Sequence, residues 1–146
     1  MRSVIAAVAI LFASSLATLA QPLQPWDCWV KDGDTIQCGG ITYRLVGFDA
    51  PETTRAKCAA ERELGERAAT RLRALMDQGE LMLAEITCSC LPGTHGTWFC
   101  NWGRRCAVLT AQREDVGYTL VNEGLAREYR CSTYRCPRRR PWCLAS

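Results

Sequence analysis

Ten cysteines constrain this chain before any other feature does. All of them fall between residues 28 and 143 of a 146-residue sequence. An even, dense set in so short a chain reads as the disulfide framework of an exported protein. Ten cysteines can pair in roughly 900 ways, so spacing alone assigns no bridge. The rival reading is a zinc site built from Cys88, Cys90, Cys100 and Cys106. Cys-x-Cys is not the usual zinc spacing, and export favours oxidation. The other end of the chain also points to export. Residues 1–20 carry one charge, Arg2, then an apolar run from Val4 to Phe12 and small residues around Thr18-Leu19-Ala20. That is the pattern of a cleaved secretory signal. An uncleaved membrane anchor is the alternative, and no later stretch is long enough to span a bilayer. The expected location is therefore secreted or periplasmic.

About 126 residues then remain, enough for one small domain whose bridges stabilise a barrel with long loops. Within it the richest stretch is Asp32-Gly33-Asp34-Thr35, followed by Tyr43 to Glu52. Asp-Gly supplies a tight turn. Thr35 to Gln37 and Ile41 to Phe48 are rich in β-branched and aromatic residues, so they read as strands joined through Cys38-Gly39-Gly40. A two-residue Gly39-Gly40 loop places Asp34 opposite Leu45. A three-residue loop places Asp34 opposite Arg44, and this register is preferred because it pairs opposite charges across the strands. Asp49 and Glu52 follow at the end of the second strand.

Further along, Thr53-Thr54 are expected to cap a helix that runs to about Gln78 and stops at Gly79. Ala60, Leu64, Ala68, Leu72, Leu75 and Met76 recur at helical spacing, the stripe of a structural helix lying on the sheet. Leu81 to Thr87 and Arg105 to Thr110 read as strands, with a loop from Cys88 to Asn101 between them. His95, the sole histidine, lies in that loop and reads as a surface residue rather than a catalytic one. Asp115 caps a short helix that Gly124 ends. The division expected is a signal (1–20), a lead-in (21–28), the domain (29–130) and an Arg/Cys-rich tail (131–146). By pattern alone the fold class is α+β with an antiparallel sheet. Five short strands, a long helix after the third and a short helix after the fifth fit a small, partly open barrel.

The acids and arginines carry the chemistry. Neighbouring aspartates repel unless a positive charge lies between them, and a hard cation with oxygen ligands, Ca²⁺ or Mg²⁺, suits them. Arginine presents a planar fork that matches phosphate oxygens. Glu52, just after Pro51, is free to take a proton from water. Alone, an Asp-Gly is a turn and an Arg beside an Asp is a surface pair; together the set suggests phosphodiester hydrolysis. Formal charge is only +3, too small to mark a strongly basic protein. Six arginines and one acid between Arg127 and Arg140 either attract polyanions or form a solvated, bridge-pinned terminus.

Val30-x-Asp32-Gly33-Asp34-Thr35, Tyr43-Arg44-Leu45 and Asp49-x-Pro51-Glu52-Thr53 together resemble the signature of the staphylococcal nuclease (thermonuclease) family. Trp102-Gly103-Arg104 is similar to its aromatic-Gly-Arg element, and Val121 to Ala126 to its late helix. The resemblance runs from about Val30 to Tyr129. It implies a disulfide-rich, five-stranded OB-fold-type barrel and a Ca²⁺-dependent nuclease acting on DNA or RNA. On this resemblance Asp34 and Asp49 are the calcium carboxylates, and Ala50 ligates through its main-chain carbonyl. Arg44 and Arg104 hold the phosphate, and Glu52 activates the water, giving 3′-phosphate ends. Where the family has an acid three residues before the glycine of its second arginine, this chain has Cys100. Tyr129 and Tyr134 are the nearest candidates for the tyrosines of the family's nucleotide pocket. A monomer with no membrane partner is expected. The alternative is a catalytically silent nucleic-acid- or protein-binding module on the same barrel, although binding alone gives no reason to cluster acids. A disulfide-rich structural protein would explain the cysteines but not the cluster.

Overall fold

A computed structural model describes residues 21–143; the expected signal lies outside them. Nine strands and two helices follow in order: β1 (Gln21–Leu23), β2 (Cys28–Asp32), β3 (Thr35–Cys38), β4 (Ile41–Leu45), β5 (Gly47–Asp49), α1 (Ala59–Asp77), β6 (Leu81–Ile86), β7 (Arg105–Ala111), β8 (Glu114–Asp115), α2 (Val116–Asn122) and β9 (Arg127–Tyr129). The fold is α+β, a curled half-barrel of the OB type. Its main strands are β2, β3, β4, β6 and β7, with α1 between the third and fourth of these and α2 after the fifth. They lie in the order β1-β6-β7-β4-β3-β2, and β5 pairs with β9 in a small separate ribbon. The sheet is mixed rather than antiparallel, because β4 and β7 run parallel. The chain between them includes α1 and β6, and so is long enough for a parallel return. The expected lead-in supplies an edge strand, β1, paired to β6.

The hairpin takes the other register. Cys38 pairs with Ile41 and Thr35 with Arg44, so the loop is Gly39-Gly40 alone. Both glycines have positive φ, 54° and 82°, as a two-residue turn matching the strand twist requires. The Cys28–Cys38 bridge fixes this end of the β2–β3 pair. The charge pairing that favoured the other register is met diagonally, through the length of the arginine side chain.

Helix α1 starts at Ala59, with Cys58 rather than Thr53 at its N-cap. Thr53 is engaged elsewhere: its N–H and Oγ1 both donate to Asp32 Oδ1, at 3.2 and 2.5 Å. Glu61, buried in the first turn, accepts from Lys57 N at 2.8 Å, and Cys58 is bridged to Cys143. Ala68, Leu72, Leu75 and Met76 face the core with Ile36, Leu45, Leu81 and Leu109. Leu64 packs at its margin, while Ala60 is exposed. In α2, Asp115 caps as expected, accepting from Gly117 N and Tyr118 N. Gly124 has φ 71°, and Leu125 and Ala126 N–H return to the Leu120 carbonyl.

All ten cysteines are paired: 28–38, 58–143, 88–106, 90–100 and 131–136. The four cysteines of the zinc alternative are thus consumed in two bridges, which pin the loop between β6 and β7. Among the described residues no helix is long and apolar enough to cross a membrane.

Candidate active site

Two strand ends and a turn bring the acids together. An extra residue at Lys31 bulges β2 against β3. The strand then bends into the Asp32-Gly33-Asp34 turn. Gly33 admits no side chain: a Cβ there would lie 2.7 Å from that of Ala68 and 2.8 Å from that of Ala50. This close approach puts the turn against α1 and the end of β5. Asp34 Oδ2 accepts from Ala50 N at 2.8 Å, and its Oδ1 accepts from Thr35 Oγ1 at 3.0 Å.

Arg44 bridges the two aspartates. Its Nη1 lies 2.5 Å from Asp34 Oδ2, and its Nη2 lies 3.3 Å from Asp49 Oδ1. Further donations reach the carbonyls of Asp34 and Phe48. The side chain is only 12% exposed. Removing it would leave two buried carboxylates without this partner, a loss of about 3–5 kcal/mol for such a broken pair. Arg44 is therefore a structural link as well as a candidate phosphate ligand.

Arg104 is held differently. Three left-handed residues precede it: Asn101 (φ 53°), Trp102 (φ 60°) and Gly103 (φ 73°). Glycine and asparagine tolerate that conformation, whereas a tryptophan there is strained by about 1–3 kcal/mol. The Asn101 carbonyl and Oδ1 accept from Arg104 Nε and Nη2, at 3.1 and 2.8 Å. Nη1 donates to Thr35 Oγ1 at 3.3 Å. All of these acceptors are neutral, so the guanidinium keeps its charge for an anion. Burial, and then the nearby Arg44, push its pKa below the ordinary arginine value.

Asp34, Arg44, Glu52 and Arg104 line one cavity of about 580 Å³. Asp49 is buried beside it, bonded to Arg44. Burial, with the Asp34 charge adding to it, raises the Asp49 pKa above the ordinary aspartate value of 3.8, against the opposing arginines. His95 does not line the cavity; its Nε2 sits 3.1 Å from the Cys88 carbonyl. Tyr129 donates to the Pro137 carbonyl at 2.6 Å. Tyr134 is exposed in the small loop closed by Cys131 and Cys136.

Sequence reasoning missed Arg139 and Trp142. Arg139 Nε lies 2.5 Å from Asp49 Oδ1, its Nη1 2.9 Å from Glu52 Oε1, and its Nη2 donates to the Ala50 carbonyl at 3.2 Å. Trp142 Nε1 donates to Asp49 Oδ2 at 3.2 Å. The Arg127 guanidinium stacks 3.7 Å over the Trp142 ring. Burial opposes the Arg139 charge, but the Glu52 bond and the Asp49 and Asp34 charges outweigh it and raise its pKa. The run Arg138-Arg139-Arg140 was visible as charge. What places it is the Cys58–Cys143 bridge, which spacing could not assign.

Residues 42–141, more than half of the chain, match the family model of the staphylococcal nuclease homologue. The matched span holds Arg44, Asp49, Ala50, Glu52, Arg104 and Arg139, while Asp34 precedes it. No curated protein matches the chain. The chain belongs to the staphylococcal nuclease homologue family, a nuclease-like family.

Proposed function

We propose that the protein is an exported nuclease that hydrolyses phosphodiester bonds of DNA or RNA with the help of Ca²⁺. The observation that carries this reading is the convergence of Asp34, Arg44, Glu52 and Arg104 on one cavity. Acids suited to a cation and arginines suited to a phosphate share a space there.

The donor set fits the cation. The Asp34 and Asp49 carboxylates and the Ala50 carbonyl offer oxygen only, the chemistry that Ca²⁺ prefers. Guanidinium groups already rest on all three: Arg139 contacts Asp49 and the Ala50 carbonyl, and Arg44 contacts Asp34 and Asp49. When bound, the cation would neutralise phosphate charge and orient water. The protein's own groups do the rest. Arg104, free of acidic partners, binds a non-bridging phosphate oxygen. Arg44 turns toward the phosphate once its aspartates have another counter-charge. Together they stabilise the added negative charge at five-coordinate phosphorus. Glu52 takes a proton from water as the water oxygen bonds to phosphorus. The bond from phosphorus to the 5′-oxygen breaks, that oxygen takes up a proton from solvent water and leaves as a 5′-hydroxyl, and the 3′-phosphate remains on the other fragment. Arg139 must release Glu52 and Asp49 for this to run.

Arg139 also gives the silent alternative its best support. With that guanidinium in place the acids are charge-compensated without a metal, as a module that only binds would need. Denatured DNA incubated with the oxidised protein separates the two readings. The nuclease reading expects cleavage with Ca²⁺, none with a chelator, and 3′-phosphate product ends. Binding without cleavage under both conditions would leave the silent module.

A further inference from the structure

The candidate active site does not end at Arg104. A second, larger groove of about 970 Å³ also borders that residue. Asp32, Thr35, Arg55, Trp102 and Arg104 line both spaces, so the two are continuous. Its walls carry three tryptophans that a water-exposed surface does not explain: Trp29, 59% exposed, Trp98, 66%, and Trp102, 57%. Contiguous exposed aromatics in a folded domain mark an interaction surface.

Each tryptophan is held in place by the fold. In β2, Val30 points into the core while Trp29 and Lys31 are exposed on either side of it. The neighbouring Cys28–Cys38 bridge fixes that strand to β3. Trp98 belongs to the loop between β6 and β7, pinned by the 88–106 and 90–100 bridges. It meets Trp102 edge to face, with centroids 4.7 Å apart and planes at 83°. The bridged backbone and the Trp98–Trp102 contact limit the freedom of these side chains, which lowers the entropy lost when a flat partner stacks on them.

Charge selects the partner. Lys31, Arg55, Arg104 and Arg105 line the groove against one acid, Asp32. That acid already accepts two hydrogen bonds from Thr53. Arg105 and Arg55 make exposed surface pairs, with Glu85 at 3.2 Å and Glu52 at 3.5 Å. Stacking surfaces interleaved with cations fit a polyanion whose flat bases are unpaired. Duplex DNA keeps its bases stacked inside and offers only phosphates to such a surface.

We propose that the groove bounded by Trp29 and Trp98 is a subsite for single-stranded nucleic acid. It takes the unpaired bases that flank the phosphate held at Arg104. The proposal rests on the reading of the neighbouring cavity as one that receives a nucleic-acid strand. It adds where the bases that flank that phosphate lie.

The test separates binding from cleavage. Anisotropy of a fluorescein-labelled twelve-residue oligothymidylate is followed in chelator for the oxidised wild-type chain, W29A, W98A and W98F. Stacking worth about 1–3 kcal/mol per base predicts binding weaker by about 5-fold to 150-fold in each alanine variant. W98F should recover much of that loss, and a labelled 12-base-pair duplex should bind W98A and wild type alike. Unchanged affinity in both alanine variants, no binding by wild type, or equal loss in W98F and W98A would overturn the proposal. Tryptophan-dependent binding without Ca²⁺-dependent cleavage would instead remove the nuclease reading and leave the groove standing.

Discussion

At the scale of single residues, Arg139 changes how the site works. A guanidinium on Asp49 and the Ala50 carbonyl competes for the oxygens that a cation would use. Arg139→Gln should tighten Ca²⁺ binding about tenfold, the equivalent of one charge-assisted hydrogen bond of about 1.5 kcal/mol. Titration calorimetry on the two proteins checks this, and equal affinities would show that the contact does not compete. The raised pKa of Asp49 has a consequence of its own. Protons and cation compete for the same carboxylate, so Ca²⁺ affinity should fall with decreasing pH, beginning above the range in which an ordinary aspartate, near 3.8, takes up its proton. The same shift means that the metal-free fold binds this proton more readily than the unfolded chain does. Its contribution to stability is therefore present at low pH and lost as pH rises through the folded pKa. Calorimetry between pH 4 and 7 follows the affinity, and a flat profile would contradict the assignment of Asp49 as a ligand. Asp34, Arg44, Asp49 and Glu52 were legible as residue types at close spacing, and Arg104 through the resemblance of Trp102-Gly103-Arg104. Asn101, which cradles Arg104 through a left-handed turn, was not, because nothing in a lone Asn-Trp-Gly fixes the backbone sign.

At the scale of elements, the hairpin shows where local electrostatics mislead. Pairing Arg44 opposite Asp34 looked favourable, yet two consecutive glycines with positive φ set the register. An arginine is long enough to reach its partner from one position away. The helix start was misjudged for a related reason: Thr53 is a good cap by type, but a tertiary bond to Asp32 claims it first. The stripe of α1 was readable because periodicity reports burial directly. The role of Gly65 within α1 was not. A Cβ there would lie 2.6 Å from the Glu52 carbonyl and 2.8 Å from that of Pro51, so this glycine lets the helix press against the segment that carries Glu52. Gly65→Ala should force the two apart. The expected results are a loss of about 1–3 kcal/mol in denaturant unfolding and a fall in kcat from displacement of Glu52. An unchanged melting curve and rate would show that the segment yields freely.

At the scale of the whole molecule, the α+β half-barrel could be read from strand and helix order, while the mixed sheet and the bridge pattern could not. Both depend on which distant segments meet. The Cys58–Cys143 bridge spans 85 residues and ties the tail across the candidate active site. In the chain-entropy picture a loop of that length contributes about 4.5 kcal/mol. Replacing both cysteines with serine should lower the denaturation midpoint accordingly. It should also free Arg139, so that Ca²⁺ binds more tightly although the fold is weaker. Weaker Ca²⁺ binding in that variant would mean that the tail supports the cation site rather than competing for it. The proposed function requires the acids and arginines in this cavity to hydrolyse phosphodiesters with Glu52 as the base. The measurement that tests it most directly is the rate on denatured DNA, in Ca²⁺ and in chelator, of wild type against Glu52→Gln. Ca²⁺-dependent cleavage should fall by about 10² to 10⁴ in the variant, with Ca²⁺ affinity and melting temperature near those of wild type. Cleavage by the variant at the wild-type rate, or cleavage indifferent to the chelator, would contradict it.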